Sequence, residues 1–255
     1  DELFKDDAYV SEFEAEITSV DGDYVKNAKI GRALMDADVL ISLTHFKGHE
    51  STGFGGTIKN IGMGGGSRAG KMEMHSAGKP IVHTDRCIGC CACRKACAHD
   101  APTLENKKMH IDLNKCVGCG RCIGVCPMDA IEAAQDENNT ILNCKMAEYT
   151  KAIVQGRPAF HISMVMDVSP VCDCYGVNDV PVIGDVGMFA SFDPVALDKA
   201  CADACDRMPR RADAPIEGSS PDLFQALHPS TDPYSQLTHG KKIGLGTDEY
   251  DLIEI

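Results

Sequence analysis

The sequence predicts an α/β fold with a mostly parallel sheet. Three observations predict it: short apolar runs that read as buried strands, helical periodicities between them, and turn-rich stretches where the strands end. Residues 26–37 place Ile30, Ala33, Leu34 and Ala37 at helical spacing. Val39 to Leu43 then reads as a short buried strand. A glycine-rich stretch follows, with G-F-G-G at 53–56 and G-M-G-G-G at 62–66, and reads as loop. At 83–134 a dense set of cysteines interrupts the alternation and reads as an insert. Beyond it, 143–155 reads as a helix and Ala159 to Val168 as a strand. Val182-Ile183 and Gly187 to Ala190 carry a further strand signal. Asp193 before Pro194 starts a helix that runs to about Arg207, with a capping carboxylate and a proline at the first helical position. Residues 209–222, rich in Pro, Asp and Ser, read as loop, and the tail at 243–255 alternates loosely enough to close an edge strand. The plan is one α/β domain in two parts, 1–82 and 135–255, around the insert.

Eight of the fourteen cysteines give the insert its chemistry. Cys87, Cys90, Cys93 and Cys97 form one run, and Cys116, Cys119, Cys122 and Cys126 form the other. Both read C-x2-C-x2-C-x3-C, the spacing of two-cluster bacterial ferredoxins, in which the fourth cysteine of each run ligates the other cluster. The expectation is a ferredoxin-like module with two [4Fe–4S] clusters. One is held by Cys87, Cys90, Cys93 and Cys126, the other by Cys116, Cys119, Cys122 and Cys97. Zinc sites and disulfides fit triplets at this spacing poorly. Pro127 follows the second run, whereas Ala98 stands at that place in the first. Cys91 is surplus to the register and reads as a free thiol beside a cluster.

Charge narrows the partners. The chain carries 38 acidic and 25 basic side chains, a formal charge of −13, and two oxidised clusters with their thiolates would bring it to about −17. Such a surface disfavours nucleic acid and suits a basic redox partner. Tryptophan is absent and aromatics are few, which argues against base stacking. No apolar run reaches the length that spans a bilayer. Thiolate ligation calls for a reducing compartment, so the expected location is an anaerobic cytoplasm.

Outside the insert, T-H-F-K-G-H at 44–49 begins where the strand at 39–43 ends, and open α/β sheets place their ligands beyond the carboxyl ends of strands. His45, Lys47 and His49 there are candidates for metal ligation, proton relay or anion contact, with Lys59 and Asp193 as further catalytic candidates. The strand at 159–168 empties into S-P-V-C-D-C, where Cys172 and Cys174 flank Asp173. If the two strands are parallel neighbours, the loops face one crevice, and His45, His49, Cys172 and Cys174 could hold an additional metal ion. Gly65-x4-Gly70-Lys71 nearly makes a phosphate-binding loop, but Met72 stands where the hydroxyl belongs. The other readings of that stretch are a flexible loop and an anion nest with Lys59, Arg68 and Lys71 nearby. Cys201 and Cys205 share one helix face and read as packing.

Several strings together resemble one family: L-T-H-F-K-G-H-E-S-T-G-F-G-G-T-I-K-N-I-G-M-G at 43–64, S-R-A-G-K-M-E-M-H-S at 67–76, C-D-C at 172–174 and D-V-G-M-F-A-S-F-D-P-V-A-L-D at 185–198. They look like the domain-of-unknown-function 362 family of iron–sulfur centre proteins, over roughly residues 24–207. The resemblance implies clusters and an architecture but no substrate, and it implies a further segment before the equivalent of residue 1. The functional expectation is an iron–sulfur electron-transfer protein. The alternative is an oxidoreductase whose clusters feed a second ligand or metal site built from segments 45–60 and 172–193.

Overall fold

The computed structural model describes residues 15–75, 79–116, 120–133, 139–174, 180–216 and 218–255. The chain enters through an antiparallel hairpin, β1 (Ala15–Ser19) and β2 (Asn27–Gly31), followed by one helical turn, α1 (Arg32–Met35). Of the helix expected over 26–37, only the turn at Arg32–Met35 is helical, and Asn27–Gly31 is strand. Ala28 and Ile30 are both buried while their neighbours are not, and that period of two outweighs the helical spacing.

β3 (Leu40–His45) leads to a small antiparallel pair, β4 (Lys47–His49) with β5 (Gly53–Gly55), and then to α2 (Thr57–Gly65) and α3 (Arg68–His75). The glycine-rich stretch is thus a short strand at 53–55 and, from Thr57, two helices where a loop or anion nest was expected. Its glycines serve packing. A Cβ on Gly62 would stand 2.3 Å from the Met146 carbonyl oxygen, so only glycine lets α2 lie this close to α6 (Asn139–Val154). Gly62→Ala is expected to lower stability by about 3 kcal/mol, because backbone rather than a flexible side chain must move. The thermal midpoint measures it; an unchanged value would mean the two helices separate freely.

β6 (Pro80–Val82), α4 (Ala92–Ala96), β7 (Pro102–Glu105), β8 (Lys108–Ile111), α5 (Arg121–Gly124) and β9 (Ile131–Ala133) make the cysteine-rich segment. After α6 come β10 (Ala159–Val165), β11 (Gly187–Ser191), α7 (Pro194–Arg207), α8 (Leu223–Leu227) and α9 (Ser235–Lys242). The main sheet has the order β11-β10-β3. β3 and β10 run parallel, with Leu40 opposite Ala159 and His45 opposite Met164, while β11 runs antiparallel to β10. The sheet is mixed, not mostly parallel. β11 pairs with β10 antiparallel, with Val165 opposite Gly187 and His161 opposite Ser191. Ile183 makes only an isolated bridge to Arg210, and 243–255 forms no strand.

β3 also differs from the buried strand expected. Ser42 and Thr44 face inward, and Ile41 and Leu43 are 66% and 63% exposed. His161 on β10 shares the inner face, bonded to Ser42 Oγ at 2.9 Å through Nδ1, and burial depresses its imidazole to about 4.

Two cores flank this frame. Phe46, Phe54 and Phe224 meet with centroids 5.1–5.6 Å apart and pack with Val195, Leu197, Cys201 and Cys205. The other core gathers Ile30, Ile61, Met146, Tyr149 and Ile153. α7 begins as expected: Asp193 caps Val195 N at 2.8 Å and Ala196 N at 3.0 Å. Farther along α7, the fully buried Asp198 accepts from Thr57 N at 2.6 Å and Ile58 N at 2.9 Å, capping α2 from outside. Burial pushes its carboxyl up to about 7. No helix among the described residues is long and apolar enough to cross a membrane.

Candidate functional site

The cysteine-rich segment is built on a repeat 29 residues long that relates Cys87 to Cys116, Cys91 to Gly120 and Cys97 to Cys126. Its backbone bonds repeat as well. Cys87 N donates to His83 O and Cys116 N to Asp112 O, both at 3.0 Å; His83 N donates to Ala130 O and Asp112 N to Ala101 O, both at 2.8 Å. The strands are exchanged between the halves. β6, before the first run, pairs with β9, after the second, and β7, after the first run, pairs with β8, before the second. Each run thus starts in one strand pair and ends in the other. Cys91 and Gly120 both cap a short helix in the left-handed region, at φ 61° and 70°. A cysteine standing where the repeat has glycine is strained, and this is what the surplus thiol does to the backbone.

The sulfurs follow the same exchange. Cys87, Cys90, Cys93 and Cys126 line one small cavity with Met109, Ala130 and Ile131. Burial first, then the Cys90 and Cys126 sulfurs, raise the Cys93 thiol. In the other half, burial followed by Cys116, Cys93 and Cys97 pushes the Cys122 thiol up to about 11. Cys119 lies outside the described residues. Among the described residues, amides that point at sulfur include Met109 N to Cys87 Sγ at 3.4 Å and Ala130 N to Cys126 Sγ at 3.3 Å. A thiol set with apolar walls and amide donors is the donor chemistry of an iron–sulfur cluster, so the residues fit that group. Among the described residues no three His, Cys, Asp or Glu side chains gather closely enough for a single metal ion. A cubane asks for no such gathering, since each thiolate binds a different iron.

The second candidate site forms where β3 and β10 end side by side. Past His45, Phe46 N donates to Met164 O at 2.9 Å, and Gly48 N donates to Ser169 O at 2.8 Å, stitching the two exit loops together. Gly48 permits that approach, because a Cβ there would stand 2.1 Å from the Pro170 carbonyl oxygen. The loops bring His45 and Lys47 to Asp173 and, beside them, His49 and Cys174 to Cys172, where α2 adds Lys59. Among the described residues no three of the His, Cys and Asp groups gather closely enough to hold the additional metal ion expected of His45, His49, Cys172 and Cys174. Asp173 joins His45 Nδ1 at 2.9 Å and Lys47 Nζ at 2.9 Å. Burial opposes its ionisation, but Lys47 and His45 hold the carboxyl below its ordinary value. His45 Nε2 bonds to Met166 O at 2.8 Å, so both its ring nitrogens are engaged. Asp193, by contrast, is occupied in capping α7 and also accepts from Thr247 N at 2.8 Å.

Cys172 is the chemical centre of these loops. Lys59 Nζ donates to its sulfur at 3.1 Å, and Cys174 Sγ stands 3.0 Å away. His49 Nδ1 accepts from Ser51 N at 3.1 Å and Thr52 N at 3.3 Å, which leaves Nε2 to carry the proton and donate. The hydrogen bond from His49, with those from Cys174 and Lys59, outweighs burial and holds the Cys172 thiol down at about 5. Sharing its proton with Cys172 raises Cys174. Cys172 is buried and Cys174 exposed. The sequence singled out these residues, but not that Asp173 would link His45 to Lys47 across 128 and 126 positions of chain. The acidic residue between the two cysteines was the only signal.

A family model described as a domain of unknown function, DUF362, matches residues 4–203. The chain belongs to the DUF362 family. Both cysteine runs and both strand-exit loops lie inside the DUF362 match, and α8 and α9 lie beyond it. No curated protein matches the chain. α3 of this DUF362 chain lies along the second cysteine run, its Met72 and His75 lining a cavity with Gly120 and Ile123. Its Met72 lies over Gly120 of the second run, while at its end burial and then the charges of His49 and Lys59 hold the His75 imidazole below its ordinary value.

Proposed function

We propose that the chain is an iron–sulfur electron-transfer protein carrying two [4Fe–4S] clusters in a ferredoxin-like module at residues 83–134. Cys87, Cys90, Cys93 and Cys126 would hold one cluster, and Cys116, Cys119, Cys122 and Cys97 the other. The exchange of strands between the two halves carries this reading, because each run starts in one strand pair and ends in the other, as a crossed ligand set would require. Bound there, the clusters supply two one-electron carriers. The amides of Met109 and Ala130 donate to ligand sulfurs and stabilise the thiolate form, and the apolar wall of Met109, Ala130 and Ile131 keeps water from that side. The surplus of acidic side chains suits a basic redox partner in a reducing cytoplasm. Anaerobically purified protein is expected to contain about eight irons and about eight acid-labile sulfides per chain. About four of each, or zinc in place of iron, would overturn the reading.

A second reading is an oxidoreductase whose clusters serve a separate site. The convergence of the two strand-exit loops favours it, with α3 reaching from the second cysteine run toward His49 and Lys59.

A further inference from the structure

We infer that Cys172 and Cys174 form a dithiol/disulfide pair that exchanges with disulfide-bearing substrates, independently of any cluster. Four observations carry this. The two sulfurs stand 3.0 Å apart, so closing a disulfide of about 2.05 Å needs roughly 1 Å of movement. The inner sulfur receives Lys59 Nζ at 3.1 Å, a fixed cation beside a thiolate. The outer cysteine is exposed and the inner one buried, the division of labour of an entry sulfur and a resolving sulfur. Finally, the loop is braced from both sides, through Gly48 N to Ser169 O at 2.8 Å and from His228 Nε2 to Pro170 O at 2.6 Å. Nothing in electron transfer by clusters requires two thiols here.

The reduced pair holds one proton between its two sulfurs. When that proton moves from Cys174 to Cys172, the exposed Cys174 sulfur is free to attack one sulfur of a substrate disulfide. The substrate S–S bond breaks, a mixed disulfide forms on Cys174, and the departing thiolate takes the proton from Cys172. The Cys172 thiolate, held by Lys59 and His49, then attacks the Cys174 sulfur. The internal disulfide closes, and the second substrate thiolate leaves and is protonated by solvent. Two electrons pass from the protein dithiol to the substrate, and one disulfide becomes two thiols. A low-molecular-weight dithiol reverses the sequence and resets the site.

Glutathione disulfide is the probe, and mass spectrometry of the peptide carrying residues 172–174 is the readout, with iron measured on the same sample. In wild-type protein the peptide is expected to lose two hydrogens and to resist alkylation after treatment, at pH 6 as well as at pH 8. Cys172→Ser is expected to retain glutathione on Cys174, and Cys174→Ser to carry none. Lys59→Met is expected to raise the pH of half-maximal closure by about one unit, slowing closure about twofold at pH 6 and close to tenfold near pH 4. A general packing defect would not shift that profile. If both thiols of the wild-type peptide stay alkylatable, or glutathione accumulates on Cys174 without the pair closing, the inference is overturned. Because the peptide is read directly, a chain that binds no iron leaves the thiol result intact, and the two readings fail separately.

Discussion

Replacing Glu148 with alanine is expected to cost the fold about 3–5 kcal/mol, the penalty for breaking a buried, multiply bonded ion pair. Glu148 sits on α6 with no exposed surface. It accepts from Asp23 N at 2.7 Å and Val25 N at 2.6 Å, with Tyr24 N at 3.2 Å, so one carboxylate closes the turn between β1 and β2. His239 Nε2 on α9 binds the same carboxylate at 2.8 Å. Removing it strands three amides and an imidazole, each of which loses a charged acceptor. The pair also has a pH signature. Burial alone would lower His239, yet hydrogen bonds to Cys144 and Glu148 carry it up to about 9. A histidine whose value is raised on folding stabilises fully below its ordinary value of about 6.5. That contribution fades as pH rises through about 9. Wild-type thermal midpoints are therefore expected to fall between pH 7 and pH 9, and in Glu148→Gln that part of the fall should shift toward lower pH. A midpoint that Glu148→Ala leaves unchanged would mean the network contributes nothing.

The second large effect concerns the exchanged cysteines. Cys97→Ala is expected to remove about half of the iron and to damage the cluster held by Cys116, Cys119 and Cys122, although Cys97 belongs to the first run. Cys126→Ala should do the reverse. The cavity that gathers Cys126 with Cys87, Cys90 and Cys93 argues for the crossing of Cys126, and the strand exchange extends the same expectation to Cys97. Mössbauer spectra of the two variants decide it. Damage confined to the cluster of Cys87, Cys90 and Cys93 in the Cys97 variant would refute the crossed arrangement. Cys91→Gly is the matched control, because it relieves a left-handed cysteine while keeping all eight proposed ligands.

Some of this was legible in the sequence because its causes are local. Asp193-Pro194 carries its cap within three residues, and the cysteine spacing is complete within each run. The strand-exit rule placed His45 and Cys172 in one region from their positions alone. What was not legible depends on distant partners. Gly62 reads as a loop glycine until Met146 is brought against it, and Glu148 reads as a surface charge until the turn at 23–25 folds over it. Ile41 and Leu43 suggested burial, but Ser42 and Thr44 face the helices, with Ser42 held by a bond to His161. The antiparallel direction of β11 was hidden because it is a property of its pairing with β10 and not of its own residue spacing.

The strand exchange in the cysteine-rich segment has one more consequence. Its halves are clasped like two hands, and neither half contains a strand pair of its own. Expressed alone, residues 80–105 would hold β6 and β7 with no partner for either, so neither half is expected to keep its strand pairing once the segment is cut in two. The clasp also sets the order of assembly. β6 cannot pair until β9, some fifty residues later, has emerged, whereas β7 and β8 meet across a two-residue turn. The inner hairpin should close first and the outer pair last, drawing both cysteine loops shut in the same step.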